Sequence, residues 1–354
     1  MPDYPISNFH FPIFTVSLSC VDLEDCTYQI TTETSVDDLS CSIESVGLMC
    51  PPLLINQRPE TGNSNVGRAD FEHCPQPGGF TIVSGFRRIA ACHCLGWSDI
   101  EARILNADTQ KLDCVKFAIT ENAFQRPLNL IEMSRAVYML SVFFKEDKKL
   151  AEAASAIGVL ANPSLVKKLK AVCLLPGAIQ DNVLSDTISL SMALELGRLE
   201  ADAGVAFAGL FETLKLSLNK QREIITRVRE IALREDISIL DVIMGDDFQE
   251  ILNNEDLDRN QKARDIRFYL KQRRFPAITR TETAFEALVK ELNLGKNVSL
   301  RPPRDFEGTV YNLNLSFKDL TELKACGVSV EKIIQNPAFD RWLKGTDNDS
   351  CVKI

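Results

Sequence analysis

The sequence predicts a multidomain α+β protein with an α/β N-terminal domain, a central all-α region and a small α/β C-terminal domain. Its 354 residues correspond to two or three domains of about 150 residues. Residues 80–105 have the pattern strand, glycine turn, helix, strand, and apolar residues mostly follow helical spacing from Leu128 onward. Apolar and polar residues alternate again over 311–317. We therefore expect an N-terminal extension at 1–18, an α/β domain at 19–127, a helical domain at 128–215, a helical region at 216–276 and a small α/β domain at 277–354.

Composition limits the class of protein. No apolar run approaches the ~20 residues that span a bilayer, and no basic start precedes an apolar leader, so we expect a cytoplasmic protein without a membrane segment. The net charge of -9 argues at first against nucleic acid as a partner. The acidic excess, however, lies in residues 1–145, with 17 acidic and 10 basic residues. Residues 148–180 carry five lysines against Glu152 alone, and this basic segment could meet DNA.

The α/β domain shows a clear succession of elements. The helical spacing of its apolar residues predicts a helix over Val36–Val46, closed by Gly47. Residues Asn56–Gly79 are rich in polar residues, Gly and Pro, and are typical of a long surface loop. The other predicted elements are strands at Pro51–Ile55, Phe80–Ser84 and Asp99–Leu105, and a helix at Arg87–Leu95 capped by Gly96.

Two short helices in the central region have the outline of a helix-turn-helix. Asp147 is a predicted N-cap for the first, and Asn162 with Pro163 begins the second. The second helix places Ser164, Lys167 and Lys170 opposite its apolar face. These side chains could contact DNA phosphates or simply form a solvated face. Further helices are predicted around 224–232 and 262–274, then a half-buried strand at 311–317 and a helix at 320–326.

The segment Ser84–Arg88 combines features of a phosphate site. Glycine allows close approach to an anion, a helix N-terminus offers unpaired N–H groups, and two arginines add forked donors. An ordinary capped turn with solvated charges is the alternative interpretation.

A second cluster, Glu121–Arg126, offers a carboxylate, an amide and a guanidinium within six residues. The oxygens suit Mg²⁺ and the arginine suits phosphate. The alternative is helix capping by Asn122 beside a surface Glu/Arg pair.

Taken in order, these motifs resemble the ParB family of partition proteins, whose N-terminal domain is shared with sulfiredoxin. The resemblance covers about residues 19–200, through segments 47–52, 85–96, 121–126 and 174–176. It implies a ParB/sulfiredoxin-like α/β fold for 19–127, which binds CTP and Mg²⁺, and a helix-turn-helix DNA-binding domain for 128–215. By position it implies nucleotide binding by Gly85, Phe86, Arg87, Arg88, Asn122 and Arg126, metal binding by Glu121 and Asn122, and DNA binding by Ser164, Lys167, Lys168 and Lys170.

The sequence departs from the family pattern at four places. The upstream Gln-Pro-Arg box has no clear counterpart, with Tyr28-Gln29 at its expected position, and the long loop at 56–79 is extra. Phe86 replaces the usual acidic residue of the Gly-x-Arg-Arg motif, and Arg126 follows Glu121 by five residues instead of four. Because the catalytic cysteine of sulfiredoxin would also fall at Phe86, sulfinic-acid reduction is excluded.

The leading hypothesis is a homodimeric DNA-binding protein that acts in plasmid or chromosome partition or as a nucleotide-switched clamp or transcription regulator, with double-stranded DNA and a partition ATPase as expected partners. Glu121 is the candidate general base for slow CTP hydrolysis. The alternatives are a ParB-like nuclease or small-molecule kinase, and an adaptor with a decayed nucleotide site.

Overall fold

The computed structural model describes residues 11–57 and 79–344. By its contacts the chain forms two compact units, one up to Ala208 and one from Gly209 onward. Most of the surface loop predicted at 56–79 lies outside the described residues. Within the described ranges, no helix is long and apolar enough to cross a membrane.

The first unit contains a mixed five-stranded sheet in the order β1-β5-β3-β4-β2. β3 pairs parallel with β5 and antiparallel with β4, β1 pairs antiparallel with β5, and β2 pairs parallel with β4. The strands are β1 (Ile13–Ser17), β2 (Val21–Asp22), β3 (Leu53–Asn56), β4 (Phe80–Ser84) and β5 (Asp99–Leu105). β1 falls in the segment expected to be an N-terminal extension, so the sheet begins earlier than predicted. The sequence of β1 gives little indication of a buried strand, because Val16 is its one buried residue.

Alternating residues of the central strands bury both faces of this sheet. Leu54 and Ile82 belong to one apolar cluster, while Leu53 and Val83 belong to another, as the two-residue period of a strand requires. The first cluster is completed by α1 (Asp37–Val46) and α2 (Phe86–Cys94), and the second by α3 (Lys111–Ala123) and α4 (Leu130–Ser141). The predicted helices and strands of this α/β region are therefore confirmed to within two residues at most ends.

Short helices follow in the first unit. They are α5 (Asp147–Ala156), α6 (Pro163–Cys173), α7 (Gly177–Leu184), α8 (Leu190–Leu196) and α9 (Ala201–Leu214), the last extending past the unit boundary. The side chain of Asn162 accepts a hydrogen bond from Leu165 N at 2.8 Å, and Pro163 opens α6, as predicted. At α5 the N-cap is Glu146 rather than Asp147, which is the first helical residue.

The second unit pairs a group of helices with a two-stranded sheet. Its elements are α10 (Leu218–Glu235), α11 (Ile239–Met244), α12 (Asp246–Asn253), α13 (Arg259–Arg274), α14 (Pro276–Leu292), β6 (Val298–Arg301), β7 (Asn312–Leu315), α15 (Leu320–Gln335) and α16 (Pro337–Leu343). The strand predicted at 311–317 is present as β7, but its expected half-burial is wrong, since all four residues are exposed. β7 pairs with β6 alone among the described strands, and the aromatic core beside it contains Phe285, Phe306, Tyr311, Phe339 and Trp342.

Candidate phosphate and nucleic-acid sites

The turn between β4 and α2 can be made only by glycine. Gly85 has φ +97°, and a Cβ there would lie 2.7 Å from the Cβ of Pro52. The first helical hydrogen bond of α2 runs from Ile89 N to Gly85 O at 3.0 Å. The amides of residues 86–88 therefore precede the helical hydrogen bonds and lie at the positive end of the helix dipole. This backbone arrangement is suited to an anion.

Arg88 and Arg103 hold the carboxylate of Glu121 between them. Arg88 Nη2 donates to Glu121 Oε1 at 2.6 Å, and Arg103 Nη2 lies 3.1 and 3.2 Å from the two carboxylate oxygens. The same guanidinium groups donate to main-chain carbonyls, Arg88 Nη1 to Cys50 O at 2.7 Å and Arg103 Nε to Pro51 O at 3.1 Å. The side chains of Arg88 and Glu121 are 16% and 19% exposed. The two sequence clusters thus meet in a half-enclosed ion-pair network, in which Arg103 was not foreseen.

Glu121 is ionised at neutral pH in this setting. Burial acts to raise the pKa of its carboxyl, but hydrogen bonds from Arg88 and Ser84 and the charges of Arg88 and Arg103 hold that pKa below its ordinary value. A carboxylate stabilised in this way is a weak proton acceptor. It is better suited to binding a cation than to acting as a general base.

Arg87 has a different environment from Arg88. Its Nε and Nη2 donate to Ser35 O at 3.1 and 2.8 Å. It also lines a cavity of about 350 Å³ together with Phe86, Gln29 and Glu33. The cavity has the size of a small-molecule site and adjoins the first turn of α2.

Arg126 is paired with a carboxylate that the sequence motifs did not single out. Its guanidinium makes two parallel hydrogen bonds to Glu132, at 2.6 and 2.7 Å. The Glu132 side chain is fully buried and also accepts from the amides of Thr32 and Asn129. Burial opposes ionisation, but these donors hold the pKa of Glu132 below its ordinary value. The pattern Asn129-x-x-Glu132 is a capping box and could have revealed this site.

Asn122 does not join Glu121 in the structure. Both lie in the last turn of α3, where neighbouring side chains point about 100° apart. The Asn122 amide donates to Ala118 O at 2.8 Å, and Asn129 rather than Asn122 caps α4. Among the described residues, no group of three or more His, Cys, Asp or Glu could hold a metal ion. Mg²⁺ commonly takes one or two carboxylates and completes its shell with phosphates and waters, so Glu121 would serve as its one protein ligand once the ion displaced a guanidinium from this carboxylate.

The predicted DNA-contacting residues lie together on α6. Ser164, Lys167 and Lys168 are exposed, whereas Lys170 pairs with Asp147 at 2.7 Å. This ion pair links α6 to the first turn of α5. Three of the four side chains are therefore accessible, and the fourth helps to fix the angle between the helices.

Basic residues of 262–274 pair with carboxylates of neighbouring helices in the second unit. On α13, Arg267 lies 2.6 Å from Glu223 and Arg274 lies 2.9 Å from Glu230, both on α10. Lys271 pairs with Glu282 of α14 at 2.6 Å. These three basic side chains therefore contribute to the packing of the helices.

Comparison with known proteins identifies similar solved structures. No protein family and no curated protein matches the sequence. The C-terminally truncated chromosome-partitioning protein ParB from Caulobacter crescentus, complexed with CTP-gamma-S, is 20% identical over 56% of this chain and 98% of that chain, with a TM-score of 0.24. The same protein complexed to the centromeric parS site is 17% identical over 58% and 95%, with a TM-score of 0.30. A Pnob8-like ParB-N domain is 14% identical over 74% and 98%, with a TM-score of 0.32. These three structures are thus two complexes of one ParB protein and a ParB-N domain.

Proposed function

We propose that this chain is a ParB-like DNA-binding protein whose first unit binds CTP with Mg²⁺. One observation carries the proposal: the N-terminus of α2, Arg88 and Glu121 converge although Arg88 and Glu121 are 33 residues apart. Backbone N–H groups and a guanidinium provide for phosphate oxygens, and one ionised carboxylate provides for the metal. An anion site with an adjacent cation ligand fits a metal-bound polyphosphate better than a lone phosphate.

Each group around the turn binds a different part of the nucleotide. The amides of residues 86–88 and the guanidinium groups of Arg87 and Arg88 bind the phosphate oxygens, while Glu121 binds Mg²⁺. The cavity beside Arg87 accommodates the nucleoside, with the aromatic ring of Phe86 and the amide of Gln29 in its lining. Arg126 would reach a phosphate only after leaving Glu132.

A nucleotide titration tests this proposal. Isothermal titration calorimetry with CTP and Mg²⁺ should show saturable binding to the natural protein and at least tenfold weaker binding to Arg88→Ala. Arg198→Ala is the matched control, because Arg198 is an exposed arginine of the same unit, and it should bind like the natural protein. Equal binding by the natural protein and Arg88→Ala, or no binding by either, contradicts the proposal.

A second candidate function is an adaptor that has lost nucleotide binding. The pairing of Arg126 with buried Glu132 favours it, because one predicted phosphate ligand is engaged elsewhere. DNA binding that is indifferent to CTP, together with no heat of CTP binding, would select the adaptor.

Self-association through the second unit is part of the same proposal. One edge of β7 pairs with β6, and Leu313, Leu315 and Phe317 on and beside β7 are exposed. An open edge with alternating apolar residues is suited to pairing with a second copy. Light scattering should give the mass of a dimer, and Leu313→Lys should reduce that mass; a monomeric mass for the natural protein contradicts this part of the proposal.

A partition ATPase is the further partner that we propose, and co-elution with such an enzyme is its test.

A further inference from the structure

A second cavity lies in the first unit, and none of its lining residues has been assigned to CTP or DNA above. Its volume is about 310 Å³, at the lower end of the ~300–1,000 Å³ typical of small-molecule sites. Residues of α3, α4 and α6 line it together with the chain just after β2. The apolar part of the lining is formed by Tyr28, Val115, Tyr138, Met139, Val142 and Phe143.

The mouth of this cavity is unusually apolar for a protein surface. Val142 is 61% exposed, and its neighbours Tyr138 and Phe143 are about two-fifths exposed. All three lie on or just after α4 and face the same cavity. Contiguous exposed apolar surface of this kind marks a binding site more often than chance exposure of single residues does.

The charged side chains that line the cavity are of one sign. Lys111 and Arg135 are the charged side chains in its lining. The hydrogen bonds of Arg135 run from Nη1 to the carbonyls of Thr31 at 2.7 Å and Ile30 at 3.3 Å, which do not neutralise its charge. A partly buried cation beside an apolar surface favours an anionic partner.

Tyr28 and Cys173 of the lining stay neutral near pH 7. Burial raises the pKa of Tyr28 to about 12 and also raises the pKa of Cys173. The two cations therefore set the charge of the cavity, and nothing in its lining competes with a ligand for them by carrying a negative charge.

We propose that this cavity binds a small amphiphile with an apolar body and one carboxylate, of which a medium-chain fatty acid is the simplest example. The apolar body lies against Val115, Met139 and Val142, and the carboxylate meets Lys111 and Arg135. The proposal is independent of CTP binding, because it uses other residues and another cavity.

Calorimetric titration of the full chain with decanoate, decanol and decyltrimethylammonium, all below micelle formation, tests the proposal. Decanoate should bind saturably at one site and at least tenfold more tightly than either of the others. Val142→Glu, which places a carboxylate at the mouth, should weaken decanoate binding at least tenfold. Val46→Glu is the matched control, since Val46 is 62% exposed and lies outside the cavity, and it should leave binding unchanged.

A second variant separates charge from packing. Lys111→Gln, at an exposed position, should weaken decanoate binding several-fold while leaving decanol binding unaltered; Lys148→Gln should change neither. The proposal is overturned by non-saturable uptake, by equal affinity for the three amphiphiles, or by decanoate binding that survives Val142→Glu intact.

Discussion

Replacing Glu121 by glutamine should strengthen metal-free binding of CTP, which is the opposite of what removal of a ligand-binding residue normally does. In the structure Glu121 occupies Arg88 through a contact of 2.6 Å between two mostly buried side chains. A phosphate oxygen that approaches without a metal ion must compete with this carboxylate. Glutamine keeps the size of the side chain and removes the charge, so Arg88 becomes available.

The size of the effect follows from the ion pair. A hydrogen bond to a charged group contributes about 1.5–3 kcal/mol, and about 1.4 kcal/mol corresponds to a factor of ten in affinity. Glu121→Gln should therefore bind CTP in the presence of a chelator about 10- to 100-fold more tightly than the natural protein does. Since Arg103 also loses its partner, the free energy of unfolding should fall by a similar ~1–3 kcal/mol.

With Mg²⁺ present, the natural protein should bind CTP more tightly than Glu121→Gln does, which is the reverse of the order without metal. If the natural protein binds CTP with Mg²⁺ as proposed, the metal would neutralise Glu121 and release Arg88 for the phosphates, so metal and nucleotide should bind cooperatively. In Glu121→Gln this gain should disappear, and the affinities with and without Mg²⁺ should agree within about twofold. Calorimetric titrations of both proteins, each with Mg²⁺ and with chelator, measure the four affinities. Glu44→Gln, at an exposed site on α1, is the control; unchanged or weaker metal-free binding by Glu121→Gln refutes the reasoning.

Three further predictions concern single residues or neighbouring pairs. Gly85→Ala should lower the free energy of unfolding, measured by urea titration, by about 1–3 kcal/mol, because φ is +97° and the new Cβ would meet the side chain of Pro52. Gly177→Ala is the control and should be close to neutral, because a Cβ there meets nothing within 4 Å. The pKa of Glu132 is lowered, so the carboxylate stabilises the fold fully above the ordinary carboxyl pKa, and this stabilisation is lost as the pH falls through the folded-state pKa. Glu132→Gln should therefore flatten the fall in the free energy of unfolding at acid pH and cost about 3 kcal/mol at neutral pH. An unchanged dependence of stability on pH contradicts this prediction. The double substitution Lys167→Gln with Lys168→Gln should reduce the slope of log K against log salt for duplex DNA by about 0.9 for each DNA phosphate that a lysine no longer neutralises, and an unchanged slope excludes these lysines from the interface.

Local patterns were sufficient to predict the elements around the proposed phosphate site. The apolar run at Phe80–Ser84, the glycine after it and the helical spacing that follows all carry local signals, and the structure places β4 and α2 there. The same holds at Asn162, where an N-cap residue precedes a proline. The strand alternation of β7 is also a local signal, but its burial depends on whether a third layer covers it, which alternation cannot reveal.

The ion pairs of the site could not be predicted in this way. Arg103 lies on β5 between apolar residues, a pattern shared by any half-exposed strand residue, so the sequence does not indicate its partner. Glu121 becomes its neighbour only when α3 packs beside the sheet. The segment before α1 is similar, since Arg87 reaches Ser35 across 52 residues. A pairing between residues so far apart depends on the tertiary packing of whole elements, and a single sequence contains no local record of it.

The end of α3 between Glu121 and Arg126 explains why the two do not share a site. Glu121 lies in the last turn of α3, which ends at Ala123. Arg126 lies beyond it, in the segment that leads to α4. Its guanidinium meets Glu132, a buried carboxylate whose other donors are neutral: the amides of Thr32 and Asn129 and the hydroxyl of Thr32. The proposed anion site would therefore use the α2 N-terminus, Arg87 and Arg88, while Arg126 pairs with Glu132 at the start of α4.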